Sequence, residues 1–496
     1  MKSLALEGAS MRKLLFVMSL VASLVACNND KPEDKTPAPK KLIESRFGLF
    51  DIAENNNIQV VDPFGKPLAG AKVLIGKNVD ELPSNFVATD ANGIVAINPA
   101  WPARADVTVK ANGFIRLTLL NQNLSGMVIK LSAAPVAPLK LVGEVTHLPV
   151  ENNDGIMDFG IVMPTLRKTD LLTFDIGKVV SEETDTIEVY GETINIPKNI
   201  SLPNQRERYG LFPVSMGKPE FSLRFPQPGR YRAYAVRGRF PFRTVIDSMK
   251  NGGEFYYLLN ITEFNGGVLR DFDLTKDLRM DLPANEMKFN QRISVEGPQI
   301  KADEDFIVLA TTQKDGTLFP TDLKILERKQ KLKMNTLPGG ENYLVGVLKK
   351  KSEMKSNVPN AARLSAVLTK MGDSGSSVLM PLVEAPTVAS LREINVTQPD
   401  LPEGLTPSGM IAVLSTVTEV NRDGKRTVSL AREWEVFGSE WQARIILPLM
   451  PGDDLQPAKR RWEVSLVGTD QQNVVSIGPE MLESATHVTR SSADFR

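Results

Sequence analysis

Four residues, Gly372-Asp373-Ser374-Gly375, place a serine between glycines and could support covalent chemistry. In such a turn, backbone amides beside the serine can stabilise an oxyanion, but the serine also needs a histidine to take its proton. The chain has two histidines, His147 and His487. His147 lies far upstream and lacks small neighbours, and His487 follows the serine. We therefore interpret the motif as a loop and predict no catalytic residue.

Two other segments approach known binding loops without matching them. Gly65 to Lys72 has the spacing of a phosphate-binding loop, but the Gly-Lys-Ser/Thr ending is absent and Pro67 removes an amide. We predict a hairpin turn there. Asn152-Asn153-Asp154-Gly155 with Asp158 could offer oxygen ligands to calcium, although an EF-hand register would place apolar residues at its outer ligand positions. We predict a turn, with an irregular oxygen site as the alternative. No metal or cofactor is predicted.

Arginines and aromatic residues alternate between residues 224 and 243, and this segment is the best candidate for a ligand-binding patch. Its central arginines are Arg230, Arg232, Arg237 and Arg239. Such a mixture can bind sugars, bases or lipid headgroups. The alternative interpretation is an amphipathic strand pair, in which the arginines are solvated while the aromatic residues face a core.

Overall composition excludes several classes of protein. The chain has 496 residues, with 59 Lys and Arg against 59 Asp and Glu and a single Cys. Nucleic-acid and anionic-membrane surfaces need a basic excess, which is absent. One cysteine excludes disulfide frameworks, cysteine-rich zinc sites and iron–sulfur clusters. This length predicts about three to five domains.

The N-terminal segment predicts export from the cytoplasm. A basic stretch, Met11-Arg12-Lys13, precedes an uncharged run from Leu14 to Ala26, which is too short to span a bilayer. The run ends in Leu24-Val25-Ala26-Cys27, which resembles the lipobox of bacterial lipoproteins. This resemblance implies that residues 1–27 are a signal peptide and that Cys27 carries the lipid that anchors the protein to the membrane.

The residues after Cys27 predict a tether and favour one membrane. In Gram-negative lipoproteins an Asp directly after the lipidated cysteine often signals retention at the inner membrane. Here that residue is Asn28, which favours the outer membrane. Residues 28–46 are rich in Pro and Lys and lack an apolar core, so we predict a disordered tether.

We predict a first domain at residues 47–136, and within it residues 58–132 resemble a known family of accessory domains. The segments that carry the resemblance are Ile58 to Asp62, Gly65 to Val73, Thr89 to Gly93, Asp106 to Phe114 and Met127 to Leu131. Together they are similar to the carboxypeptidase regulatory-like family, which folds as a transthyretin-like β-sandwich. The resemblance implies a non-catalytic module, with glycines at hairpin turns that need a positive φ.

The remaining sequence predicts three further β-sandwich domains of immunoglobulin-like type. Short apolar runs alternate with period two, and Thr416 to Leu430 reads as a β-hairpin. A Pro-Gly pair precedes an aromatic-bearing strand three times, at Pro228-Gly229, Pro338-Gly339 and Pro451-Gly452. In immunoglobulin-like sandwiches such a turn forms one corner of the two sheets. We predict β-sandwich-like domains at residues 137–285, 286–388 and 389–496. They are either true repeats or, as the alternative, separate domains that share the Pro-Gly turns common in β-proteins.

The sequence therefore predicts an all-β lipoprotein of the cell envelope, built from tandem β-sandwich domains. We expect a non-catalytic surface-binding, adhesion or scaffold protein, held to the membrane by its lipid, with an envelope protein or glycan as partner and no nucleic acid. An envelope hydrolase is the alternative, because loops can present paired carboxylates that a sequence does not reveal. A periplasmic assembly partner of another envelope complex is a third hypothesis.

Overall fold

The computed structural model describes residues 50–52, 56–134, 138–148, 156–165, 172, 184–189, 192–202, 220–241, 244, 260–314, 317–353, 363–371, 378–422, 425–452, 458–470 and 485–496. All of them belong to one compact unit, Leu42–Arg496. The elements whose bounds are described are β-strands, apart from one short 3-10 helix at Lys351–Glu353. Leu172, Thr244, Asn260 and Ile261 are also helical. The predicted all-β fold class is confirmed.

We divide the strands into four modules, named A to D in chain order. Module A contains β1 (Phe50–Ile52), β2 (Asn57–Val61), β3 (Lys72–Ile75), β4 (Phe86–Ala88), β5 (Ile94–Ala96), β6 (Arg104–Lys110), β7 (Arg116–Asn123) and β8 (Met127–Lys130). Module B contains β9 (Leu139–Gly143), β10 (Val145–Thr146), β11 (Ile156–Pro164), β12 (Thr184–Val189), β13 (Glu192–Pro197), β14 (Ile200–Ser201), β15 (Phe221–Phe225), β16 (Gly229–Pro241), β17 (Glu263–Leu274), β18 (Leu278–Arg279), β19 (Leu282–Pro283) and β20 (Met287–Lys288).

Modules C and D complete the chain. Module C contains β21 (Gln291–Glu296), β22 (Glu304–Lys314), β23 (Thr317–Leu326), β24 (Lys331–Thr336), β25 (Glu341–Lys350) and β26 (Leu364–Lys370). Module D contains β27 (Thr387–Ser390), β28 (Glu393–Asn395), β29 (Thr406–Arg422), β30 (Lys425–Gly438), β31 (Arg444–Ile446), β32 (Arg460–Thr469) and β33 (His487–Phe495). The positions of the domain boundaries stay a prediction.

Module A is built from two sheets, with strand orders β1-β8-β2-β5 and β7-β6-β3-β4. Its predicted turn glycines adopt the left-handed conformation, with φ of 84° at Gly65, 71° at Gly93 and 79° at Gly113. Gly93 shows why no side chain fits, because a Cβ there would collide with the carbonyl oxygen of Val60. The hairpin turn predicted near Gly65 is confirmed, and Val60 and Leu68 are joined by a backbone hydrogen bond across it.

Modules B, C and D repeat one pattern of strand pairing. In each, the first strand pairs with the fourth, the second with the third and fifth, and the fifth with the sixth, always antiparallel. The six strands are β9, β11, β14, β15, β16 and β17 in module B, β21 to β26 in module C, and β28 to β33 in module D. Immunoglobulin-like sandwiches pair their strands in this way. The repetition expected from the Pro-Gly pairs is therefore present in the topology.

Each Pro-Gly pair lies between the fourth and fifth strands of its module, where the chain crosses from one sheet to the other. Gly339 and Gly452 both have a φ of 73°, which explains the glycine at these two corners. In module B, Tyr231 Oη donates a 2.7 Å hydrogen bond to the carbonyl oxygen of Gln227. This contact is the tyrosine corner of immunoglobulin-like folds.

A sheet of twelve strands joins modules C, D and A. The last strands of modules C and D pair antiparallel, from Leu364 opposite Arg490 to Val367 opposite His487. Strand β30 of module D then pairs in parallel with β7 of module A. The predicted hairpin of β29 and β30 is confirmed, and it extends to Arg422 opposite Lys425.

Module B packs against the sheet of module C. Tyr234 Oη donates to the carbonyl oxygen of Pro320 at 2.6 Å, and the rings of Tyr234 and Phe319 are 4.9 Å apart. Asn260 caps the edge of β23, because its amide group bonds both the backbone N–H and the carbonyl of Ile325, at 2.6 and 2.8 Å. The second strand of module C, β22, is consequently buried on both faces, which explains its continuous apolar run.

Module A also touches module B, so the four modules form a closed ring. The ring of Phe64 lies 5.4 Å from that of Tyr231 at an angle of 83°. A Cβ at Gly229 would collide with the Phe64 ring, so the glycine lets the two modules approach. Separate cores fill the sandwiches of modules B, C and D, while a further cluster combines the interior of module A with residues from the other three modules.

Candidate functional site

The arginine-rich segment forms β16, a central strand of the five-stranded sheet of module B. Strands β11 and β17 flank it on both sides, so its backbone is fully paired over most of its length. Its alternating sequence explains this position, because Ala233 and Ala235 point into the core of module B while Tyr234 and Val236 point to module C. The segment is thus a strand with two buried faces.

The structure does not bring the four arginines together on one surface. Side chains alternate between the faces of a strand, so Arg230 and Arg232 share the face of Tyr234. Arg237 and Arg239 share the opposite face, with Ala233 and Ala235. The sheet therefore separates the four arginines into two pairs.

On the face toward module C, Asp271 lies close to both arginines of the pair. Arg232 Nη2 donates to Asp271 Oδ2 at 3.0 Å, and Arg230 Nη2 lies 3.7 Å from the same oxygen. This hydrogen bond from Arg232 is the main cause that lowers the pKa of Asp271. Arg232 Nη1 also donates to Thr317 Oγ1 of module C at 2.8 Å. Arg232 therefore links two modules, whereas the Arg230 side chain is 74% exposed.

On the opposite face, the second pair surrounds a buried carboxylate. Arg239 Nε donates to Asp158 Oδ1 at 3.0 Å, and the Asp158 side chain is only 7% exposed. Arg237 Nη1 donates to the carbonyl oxygen of His147 at 2.8 Å. Burial lowers the pKa of Arg237; nearby Asp158 raises it, and Arg239 lowers it further. These contacts hold the end of β10 and the start of β11 against β16.

The chemistry of the segment follows from this pairing. Three of the four arginines of β16 make contacts that stabilise module B or join it to module C. Arg230 alone of the four is mostly exposed to solvent, so an anion from solution would reach its guanidinium first. A shared anion site for all four side chains would need both faces of one sheet.

The two histidines lie in different modules. His487, in β33, is buried, with Nε2 2.9 Å from the carbonyl oxygen of Val378 and Nδ1 2.8 Å from Thr486 Oγ1. Burial lowers the pKa of His487. His147 adopts a left-handed φ of 59° at the end of β10, and its ring lies beside Thr146 Oγ1. Cys27 and Ser374 lie outside the described residues.

In the two segments that approach known binding loops, potential ligand groups are used in contacts within the protein. The carboxylate of Asp62 accepts the backbone N–H groups of Phe64 and Lys66, at 2.8 and 2.9 Å. Amides that a phosphate would need are therefore used within the Gly65 turn. Of the calcium-like segment, residues 152–155 lie outside the described part, and Asp158 belongs to β11, where Arg239 binds it.

Neither a cluster of metal-binding side chains nor a membrane-spanning helix is present among the described residues. No group of three or more His, Cys, Asp or Glu side chains is placed to hold a metal ion there. Likewise, no described helix is both long and apolar enough to cross a membrane.

No protein-family model matches the sequence, and the search of curated proteins finds no match. The lipoprotein and carboxypeptidase regulatory-like interpretations therefore rest on the sequence resemblances alone.

Sequence reasoning missed the acidic partners of the arginines. Asp271 and Asp158 lie 39 and 81 residues from the arginines they bind, so no local pattern connects them. One signal was available. Arg232 and Arg237 are an odd number of positions apart, and in a continuous strand an odd spacing places two side chains on opposite faces.

Proposed function

We propose that this chain is a lipoprotein of the bacterial cell envelope, anchored through Cys27, that serves as a non-catalytic binding or scaffold protein. The anchor rests on the lipobox-like segment Leu24 to Cys27 and on the position of the single cysteine at its end. Asn28 favours the outer membrane. Several acyl chains on one residue anchor a protein stably, whereas one chain alone holds it only marginally.

The observation that carries the scaffold function is the closed ring of sandwich modules. Domains joined only by flexible linkers would reorient independently. Here modules C, D and A share a twelve-stranded sheet, and module B contacts both A and C, so the modules are fixed relative to one another. A rigid platform of this kind suits presentation of loops and edges to another envelope component. The arginines and acids described above mostly bind each other, which supports a structural role for these charges.

Metabolic labelling with palmitate tests the anchor. Wild-type protein should take up the label and fractionate with membranes, and Cys27→Ser should do neither, because it removes the only thiol. Equal labelling of both proteins would refute the anchor.

Affinity capture from detergent-solubilised envelopes, with the lipid intact, tests the scaffold. We expect a protein or glycan to be retained through a low-salt and a high-salt wash. A turnover activity on an envelope glycan or peptide, absent from a mock purification, would instead favour the hydrolase hypothesis.

A further inference from the structure

Strand β21 of module C has one edge without a partner among the described residues. It spans Gln291–Glu296 and pairs antiparallel with β24, and these two strands form a sheet of their own. Exposed backbone edges of this kind are templates for a further strand, and most proteins cover or shorten them.

The equivalent edge is covered by a further strand in modules B and D, but not in the described part of module C. In module B, β18 adds to the free side of the first strand, β9. In module D, β27 adds to the free side of the first strand, β28. The segment before β21 is β20, which corresponds in order to β27, but β20 pairs with β17 of module B. The segment that would cover the edge of β21 therefore pairs with module B, and this edge of β21 has no partner among the described residues.

The N–H and C=O groups of successive residues in β21 point alternately toward β24 and toward the open edge. Gly297 N–H donates to the carbonyl oxygen of Gln330 in register with the β21–β24 ladder. In an antiparallel pair every second residue bonds to the partner, so Gln291, Ile293 and Val295 bond β24. The N–H and C=O groups of Arg292, Ser294 and Glu296 consequently face the open edge.

The side chains of β21 are complementary to those of a second, antiparallel copy. Centred on Ser294, two copies place Arg292 opposite Glu296 twice and Ile293 opposite Val295 twice. Arg292, Ser294 and Glu296 are exposed, and Ile293 and Val295 are half-buried. Glu296 lies 3.2 Å from Lys329 and 3.7 Å from Lys331, yet its side chain remains 47% exposed.

We propose that two copies of this chain associate through β21, antiparallel about Ser294, to form a four-stranded sheet in the order β24-β21-β21-β24. The register lets Arg292, Ser294 and Glu296 of each copy exchange backbone hydrogen bonds with the other. It also covers Ile293 and Val295, whose partial exposure leaves the core of module C open at this side. Charge and apolar complementarity within one strand identify a second copy of the chain as the occupant.

Engineered cysteines test the register in the full chain carrying Cys27→Ser. Opposed residues in a hydrogen-bonded antiparallel pair have Cα atoms about 5.5 Å apart, within disulfide range. Ser294→Cys should therefore form a disulfide-linked dimer under mild oxidation. Arg292→Cys is the matched control, because its two copies would lie about 14 Å apart along the strand, beyond disulfide reach.

Charge reversal tests the contact without a covalent bond. In sedimentation equilibrium of the Cys27→Ser chain, Arg292→Glu should weaken dimerisation about tenfold, because it converts two attractive pairs into two repulsive ones. Adding Glu296→Arg should restore dimerisation to within about threefold of the starting protein. Lys66→Glu, an exposed reversal in module A, should leave it unchanged.

Cross-linking of Ser294→Cys but not of Arg292→Cys, with rescue by the double reversal, supports the proposal. A chain that remains monomeric up to high micromolar concentration, or a dimer unaffected by Arg292→Glu, overturns it. Thermal melting of each variant checks folding, and little change is expected because Arg292, Ser294, Glu296 and Lys66 are exposed.

Discussion

Removing one hydroxyl from either of two tyrosines in β16 should reveal how tightly modules B and C are joined. Tyr231 and Tyr234 lie three positions apart and point to opposite faces of the strand. Tyr231 Oη bonds Gln227 inside module B, whereas Tyr234 Oη bonds Pro320 of module C. Tyr→Phe at each site removes the same atom, so the two variants are matched.

The expected magnitudes differ because the two hydroxyls differ in burial. The Tyr234 side chain is buried, with the residue 1% exposed, and Pro320 is half-buried, so loss of the hydroxyl leaves the Pro320 carbonyl without this donor and should cost about 1.5 to 3 kcal/mol of unfolding free energy. Tyr231 is only partly buried, and water can replace its hydroxyl. Its loss should cost about 0.5 to 1 kcal/mol.

Denaturant unfolding measures the cost, and native-state hydrogen exchange locates it. Tyr234→Phe should speed amide exchange in β23 of module C as well as in β16, whereas Tyr231→Phe should affect module B alone. Equal costs for the two variants, or unchanged exchange in β23 of Tyr234→Phe, would refute the claim that this hydroxyl joins the modules.

Alkaline pH provides a second readout of the same residue. Burial raises the pKa of Tyr234 well above its ordinary value of 10.0. The unfolded chain therefore releases the proton at a lower pH than the folded chain, so stability is intact below about pH 10 and falls as the pH rises further. This loss should be smaller in Tyr234→Phe, and an identical alkaline transition in both proteins would contradict it.

Three further results are expected. Ser374→Ala should melt like the wild type, and a fluorophosphonate probe should give no labelling that depends on Ser374, because neither histidine has the context of a catalytic base. Arg239→Met should lower the free energy of unfolding by about 2 to 4 kcal/mol in a denaturant titration, because it removes the arginine from the buried Asp158. Arg230→Met should lower it by less than about 0.5 kcal/mol, because Arg230 is mostly exposed. Similar losses for the two variants would contradict the different burial of the two side chains. Gly229→Ala should cost about 1 to 3 kcal/mol through collision with Phe64, and most of that cost should vanish in a Phe64→Ala background; an unchanged cost there would place the strain elsewhere.

Local pattern was enough to predict much of the fold. Alternating apolar residues identified strands such as β2, β16 and β32, and the Pro-Gly pairs marked the corner between the fourth and fifth strands of each repeat. Turn chemistry placed Gly65 and Gly93 where a positive φ is needed. These features depend on neighbours within a few residues, which a single sequence records.

Contacts between distant segments were not predictable in the same way. The β16 sequence alternates like that of any amphipathic strand, and nothing local indicates that Tyr234 contacts Pro320 across a module boundary. The arginines likewise gave no sign of their partners, because a carboxylate such as Asp271 reaches them only after β16 and β17 have paired. A single sequence contains both residues of such a pair but not their proximity.

The parallel pairing of β7 with β30 has a consequence for biosynthesis. Trp434 Nε1 of β30 donates to Thr118 Oγ1 of β7 across 316 residues of chain. At about 5 to 20 residues per second, roughly 15 to 60 seconds of synthesis separate the two strands. During that interval the apolar edge of β7 has no partner from its own chain, and unpaired edges of this kind are prone to aggregate. A chain of this architecture can complete the β7 edge only after module D has been made, so a premature stop before β30 should leave this edge open.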